Sequence, residues 1–137
     1  MEVLFLLHRS THQLALWIEE SLREEGVSHA EANILAFLHS VPDATINDAH
    51  RHLAHRRSTL TNLIDRLESR GLVARSSSGT SRRTVGLGLT GRGRQVASDV
   101  AELLSWLQEE VEASVSSEDM DGFRRVVAAV QEVSSGR

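Results

Sequence analysis

The fold is decided by residues 58–75, which read STLTNLIDRLESRGLVAR. The apolar residues of this stretch recur at the spacing i, i+3, i+4, i+7 of one helix face: Leu60, Leu63, Ile64 and Leu67. Gly71 is placed to end the helix, and the residues that follow it favour a strand. The opposite helix face is polar, which suits hydrogen bonds to base edges and phosphates, although most amphipathic helices also carry a polar face that only meets water.

Two helices are predicted near the N-terminus. Apolar residues within 3–22 recur at helical spacing, and Gly26 is a candidate C-cap for this first helix. Ser28 with Glu31 forms a capping-box pattern that starts a second helix, which stops before Pro42.

A short helix is predicted directly before the stretch that decides the fold. Thr45 with Asp48 can start it, and it runs through Leu53 to a turn at residues 54–56. Two short helices joined by a tight turn are typical of a helix-turn-helix, in which the second helix lies in the major groove of DNA.

A hairpin and two more helices follow. Residues 72–75 and 85–89 favour two strands around a polar tip, and Gly86 and Gly88 are expected to weaken the second strand. Thr90 can cap a long helix, and Ser117 starts a last one. Both ends of the chain carry an apolar stripe on otherwise acidic helices, and such a stripe needs a partner to cover it.

The charge of the chain is unevenly distributed. The total is −4, but residues 51–94 hold ten Arg against two acidic residues, Asp65 and Glu68, which is a balance of +8. The segments before and after this block hold 2 Arg with 8 acids and 3 Arg with 9 acids, which is −6 each. A basic block between acidic ends indicates a surface that binds a polyanion such as DNA.

Other classes of protein have weaker support in the sequence. The 137 residues suit one domain, no apolar run is long enough to span a bilayer, and the absence of Cys fits the cytoplasm. No motif of an enzyme is present, so we expect none of the residues to be catalytic. His8 and His12 at i, i+4, and the histidines within 50–55, leave a metal-responsive regulator as an alternative, although no metal-binding motif is present.

Residues 58–75 resemble the recognition helix and first wing strand of the multiple-antibiotic-resistance regulator (MarR) family. Arg82 and Arg83, followed by Leu87 and the segment 89–93, resemble the second wing strand of that family and the start of its next helix. The resemblance implies a fold that is mainly α with a small two-stranded β-wing: a winged helix-turn-helix of about six helices in an intertwined homodimer.

The resemblance also implies which residues bind DNA. Two groups, on the recognition helix and on the wing, are expected at or beside the grooves: Arg57, Ser58, Thr59, Thr61, Asn62, Arg66, Arg82 and Arg83. Arg83 is expected to enter the minor groove, where the negative potential favours an Arg.

The expected organisation is a single domain, 1–137, with a DNA-binding lobe at 28–94 and dimerisation helices at 1–26 and 95–137. The residues expected in the dimer interface are apolar: Leu4, Leu7, Val100, Leu103, Leu107, Val111, Phe123 and Val127.

The function that follows is a cytoplasmic, sequence-specific regulator of transcription, favoured as a repressor, on a near-palindromic DNA site. No cofactor is expected, and an unidentified small-molecule effector stays open. A dimeric winged-helix module that binds only proteins is the main alternative, and it predicts no salt-sensitive affinity for DNA.

Overall fold

The computed structural model describes residues 1–77 and 84–136, and it confirms the predicted fold class within them. Six helices and two strands follow one another in the order that the sequence predicts. They are α1 (Glu2–Ser21), α2 (His29–Ser40), α3 (Ile46–Leu53), α4 (Arg57–Ser69), β1 (Val73–Ser77), β2 (Val85–Leu89), α5 (Gly91–Ser114) and α6 (Ser117–Ser135).

The junction between α1 and α2 differs from the prediction in two details. Helix α1 ends at Ser21, and a further turn separates it from Gly26, whose φ of 64° is left-handed. At the start of α2 the Ser28 hydroxyl accepts a hydrogen bond from the backbone N–H of Glu31, as predicted. The return arm of a capping box is not made, because the Glu31 carboxylate accepts a hydrogen bond from Arg70 of α4 instead.

The helix-turn-helix forms where the sequence predicts it. Thr45 caps α3 in a complete capping box with Asp48, so that two backbone N–H groups at the helix start find partners. The chain then reverses at Ala54, which takes the left-handed conformation with φ 51°. Helix α4 begins after Arg56 and buries the predicted apolar face against the rest of the lobe.

The two strands pair as an antiparallel wing, with Val73 opposite Leu89 and Ser77 opposite Val85. That Gly86 and Gly88 weaken β2 stays a prediction. Gly86 lies in an isolated bridge opposite Thr45, and a Cβ at Gly86 would stand 2.6 Å from the Ser76 Oγ on the other side. β2 thus pairs along one edge with β1 and, at Gly86, with Thr45 before α3 on the other.

Helix α5 begins in close contact with the turn after α4. The Thr90 Oγ1 accepts a hydrogen bond from the N–H of Gly93 (2.9 Å), which confirms Thr90 as the cap. A Cβ at Gly93 would overlap the carbonyl oxygen of Leu72, so this approach requires glycine. Helix α6 begins at Ser117, as predicted, and its cap is Ser116, which forms a capping box with Asp119.

The chain divides into two compact units, Met1–Ala101 and Glu102–Arg137, with the boundary inside α5. The first unit has a core whose largest side chains are almost fully buried: Ile34, Leu35, Leu60, Ile64, Leu67, Leu72, Val73 and Val100. No described helix is long and apolar enough to cross a membrane.

Candidate DNA-binding surface

The outward face of α4 carries the residues that the sequence assigned to the major groove. Leu60, Leu63 and Ile64 turn inward, so the residues between them face away from the core. All six candidates from this helix are exposed: Arg57, Ser58, Thr59, Thr61, Asn62 and Arg66. Their contact with DNA stays a prediction, and the other two candidates, Arg82 and Arg83, lie outside the described residues.

Arg75 of β1 binds both acidic residues of the basic block. Its guanidinium nitrogens lie 2.6 Å from Asp65 Oδ1 and 2.7 Å from Glu68 Oε1, and its backbone N–H donates to Glu68 Oε2 at 3.3 Å. The hydrogen bond to Asp65, above all, raises the pKa of Arg75 above its ordinary value, so the guanidinium is always charged. The wing strand is thereby tied to the recognition helix by a cation between two carboxylates.

A second Arg, Arg70, ties the C-terminal end of α4 to the start of α2. Arg70 donates to Glu31 Oε2 at 3.2 Å and to the backbone carbonyls of Gly26 (2.9 Å) and Glu25 (2.7 Å). Glu31 is buried, and its other oxygen lies 3.9 Å from Arg66. A buried carboxylate needs such partners, because an uncompensated charge in the interior is costly.

Sequence reasoning missed the roles of Arg70, Arg75 and Glu31. Glu31 was interpreted as part of a helix cap, and Asp65 was counted as one of the two acids of the basic block. The one available signal was that Asp65 and Glu68, the two acids in a block of ten Arg, are three residues apart on one helix.

Asp48 and His52 fix the start of α3 and its packing on α2. The hydrogen bonds from the backbone and side chain of Thr45 hold the pKa of Asp48 below its ordinary value. His52 Nδ1 lies 3.1 Å from the Asp48 carbonyl oxygen, and its ring packs on Phe37 with the centroids 5.1 Å apart. His52 thus has a structural role, in which its ring packs on Phe37.

The alternative of a metal-responsive regulator requires a cluster of metal-binding side chains. Among residues 1–77 and 84–136, no three side chains of His, Asp or Glu are placed to hold one metal ion.

Two basic residues, Arg56 and Arg57, stand at the start of α4. No ion pair joins Arg56 or Arg57 to a residue of the described chain, and no side chain caps the first turn of α4. The first turn of α4 holds no acidic residue, so this end of the helix presents positive charge and backbone N–H groups to solvent.

The residues predicted for the dimer interface mostly remain accessible. Leu4, Val111 and Phe123 are exposed, the last with 56% of its surface. Four are partly exposed: Leu7, Leu103, Leu107 and Val127. Val100 is wrong as an interface residue, because it is fully buried in the core of the first unit and has no surface for a second chain to cover.

Comparison with known proteins identifies relatives of one kind. A family model described as the MarR family matches residues 25–84. The HTH-type transcriptional repressor MdtR of Bacillus subtilis (strain 168) is 30% identical over 99 residues, which are 66% of this chain and 64% of MdtR. The chain therefore aligns with somewhat less than two thirds of that relative.

Solved structures share the fold at lower identity. The S. aureus MepR–DNA complex matches with a TM-score of 0.84 and 18% identity, over 94% of this chain and 96% of MepR. The transcription regulator MarR from Oenococcus oeni PSU-1 matches with a TM-score of 0.85 and 17% identity, over 95% of this chain and 98% of that one. At such identities the likeness establishes the winged helix-turn-helix fold alone.

Proposed function

We propose that this chain is a regulator of the MarR family, whose model matches residues 25–84, and that it regulates transcription by binding duplex DNA as a homodimer. The main support for this proposal is the outward face of α4. There, exposed Ser, Thr, Asn and Arg side chains surround two carboxylates that are paired with Arg75. Such a face can donate hydrogen bonds to base edges and phosphates, and Arg75 reduces the negative charge that the two carboxylates present. The structurally similar MepR, whose structure is a complex with DNA, also supports the proposal that this chain binds DNA.

The roles within the surface differ. Asn62 and Thr61, in the second turn of α4, are proposed to read base edges, since amides and hydroxyls form the hydrogen bonds that distinguish bases. Arg57 and Arg66 are proposed to contact phosphate, and Arg82 and Arg83 to extend this contact along the wing. Phosphate contacts set affinity and orientation, whereas base contacts set sequence preference.

A homodimer is proposed because each unit exposes apolar side chains that a monomer leaves in water. In α1 these include Leu4 and Phe5, and in the second unit they include Phe123 and Val126. A two-fold symmetric dimer presents two copies of α4, which suits a near-palindromic site with half-sites about one helical turn apart. We assign the two dimerisation regions to residues 1–26 and 95–137, with Val100 excepted.

Repression is the proposed outcome, in line with the description of MdtR as a repressor. A dimer seated on a promoter competes with the transcription machinery for the same DNA, and no catalytic step is required. We place this activity in the cytoplasm, where such DNA and machinery would be met, and we propose no cofactor.

The test is the affinity of the purified protein for a random 30-base-pair duplex, measured by fluorescence anisotropy at 50 and 200 mM salt. Several neutralised phosphates predict a loss of affinity of about 10³-fold over this range. Genome-fragment selection with the same protein then identifies the preferred site. A protein that binds no duplex even at 50 mM salt contradicts the proposal and favours the protein-binding alternative.

A matched pair of variants localises the surface. Arg66→Ala and Arg23→Ala each remove one exposed guanidinium that stands near a carboxylate, Glu31 and Glu20 respectively. Arg66→Ala is expected to weaken DNA binding and to reduce the salt slope by about one unit, whereas Arg23→Ala leaves both unchanged. Equal effects of the two variants would place the DNA elsewhere.

A further inference from the structure

We propose that Arg75 is a positioning residue for DNA binding, which masks the two carboxylates of the recognition helix and so keeps its surface fit for phosphate. The inference rests on the proposed function and deepens it. It assigns a role to a residue of β1 that does not itself lie on the outward face of α4.

The geometry places one cation between two anions. The Arg75 guanidinium reaches Asp65 and Glu68 with separate nitrogens, at 2.6 and 2.7 Å, which are the lengths of charge-assisted hydrogen bonds. The Arg75 side chain is 27% exposed, while those of Asp65 and Glu68 are 56% and 43% exposed. The carboxylates therefore lie at the surface, and the cation that offsets one of their two charges lies beneath.

The position of these carboxylates makes the masking matter. Asp65 follows Asn62 by one helical turn and directly precedes Arg66, so it lies among the residues proposed to meet DNA. Residues 51–94 contain no other acid, so Arg75 pairs with every carboxylate of the basic block. A free carboxylate there would face phosphates at short range, where the screening by salt is incomplete.

Two other roles for Arg75 give different outcomes in a test. Arg75 could bind phosphate itself, or it could serve only to hold the wing strand against α4. Both roles are lost when Arg75 is removed, and neither returns when the carboxylates are also removed. Masking differs, because it becomes unnecessary once Asp65 and Glu68 carry no charge.

The experiment compares five forms of the full chain on the random duplex at 100 mM salt: wild type, Arg75→Gln, Asp65→Asn/Glu68→Gln, the triple variant that combines these changes, and Arg23→Gln. Uncovering two carboxylates near phosphate predicts a 5- to 30-fold weaker affinity for Arg75→Gln, at about fivefold for each. The triple variant is expected to recover to within about threefold of wild type. Arg23→Gln removes one charge that is paired with Glu20 outside the basic block, and it is expected to bind as wild type.

The outcomes separate this inference from the function on which it rests. A wild type without salt-sensitive binding overturns both. A wild type that binds, with a triple variant as weak as Arg75→Gln, overturns the masking role alone. Circular dichroism checks that each form is folded; if Arg75→Gln is not, Arg75→Lys, which keeps a charge without the two-pronged geometry, must fall between wild type and the fivefold loss.

Discussion

The two units of the chain bury their apolar residues to very different extents. In Met1–Ala101, Ile34 and Leu35 of α2 and Ile64 of α4 lie in a core, where their side chains have no accessible surface. In Glu102–Arg137, helix α6 buries none of its residues, although its apolar positions recur at helical spacing. Similar sequence patterns thus give a closed core in one unit and an open stripe in the other.

The difference indicates which part of the molecule needs a second chain. An apolar stripe on a helix gains stability only when another surface covers it. The first unit supplies that surface to α2 and α4 by itself, and hydrogen bonds from Arg70 and Arg75 hold the C-terminal half of α4. For the second unit we propose that a partner protomer supplies the covering surface. Substitutions in the first unit should therefore lower the stability of the protomer, and those in the second unit should weaken the dimer.

The largest effect is expected from Leu107→Asp in the second unit. The change places a charge in a surface that the dimer is proposed to bury, and two-fold symmetry repeats it. A cost of about 4 kcal/mol corresponds to about a thousandfold weaker dimer. Light scattering coupled to size exclusion measures this, and Ser105→Asp, an exposed residue of the same helix, is the control. A dimer of Leu107→Asp as tight as that of Ser105→Asp contradicts the proposed interface.

Truncation of one Leu in each kind of environment gives the next largest effect. Leu35→Ala leaves a cavity in the closed core and is expected to lower the free energy of unfolding by about 3 kcal/mol, with the dimer dissociation constant unchanged. Leu4, in α1, is 57% exposed, so Leu4→Ala is expected to weaken the dimer and to alter the protomer little. Denaturant titration and sedimentation measure the two quantities. If Leu35→Ala weakened the dimer and Leu4→Ala lowered the stability of the protomer, the proposed contrast between the two environments would be wrong.

The sequence predicts the features that depend on neighbouring residues and misses those that depend on how separate elements pack. The spacing of Leu60, Leu63 and Ile64, and the cap formed by Thr45, depend on residues within one turn of helix, so α3 and α4 were predicted to within a residue or two. The pairing of Arg75 with Asp65, and of Glu31 with Arg70, depends on how separate elements pack, and it was missed. In the same way, periodicity placed Val100 on an apolar stripe but could not tell core from interface.

The two complete capping boxes, one in each unit, offer a smaller and matched test. Thr45→Ala removes the cap of α3, and Ser116→Ala removes that of α6. Each change is expected to cost about 1 kcal/mol of unfolding free energy. Because α3 is packed within the lobe and α6 buries no residue in the protomer, the loss at Ser116 should also increase amide exchange through the first turn of α6. Equal exchange in both helices would contradict the contrast.

The smallest effect is expected in the titration of the two carboxylates that complete these boxes. A hydrogen bond from the Ser116 hydroxyl, followed by one from its backbone N–H, holds the pKa of Asp119 below its ordinary value. For Asp48 the order is reversed, because the backbone N–H of Thr45 lowers the pKa most. A pKa that is lower in the folded state means a contribution to stability that is complete above the unfolded pKa of about 3.9 and is lost as the pH falls through the folded value.

Carboxyl-carbon NMR across pH 2–6 measures both midpoints in the two variants. Ser116→Ala is expected to raise the pKa of Asp119 markedly and to leave Asp48 unchanged, since it removes the larger of the two causes. Thr45→Ala is expected to raise the pKa of Asp48 by less, because the backbone N–H and Arg51 remain. The cross-comparison makes each variant the control for the other. A midpoint of Asp119 that stays low in Ser116→Ala would show that the hydroxyl is not what stabilises the carboxylate at the start of α6.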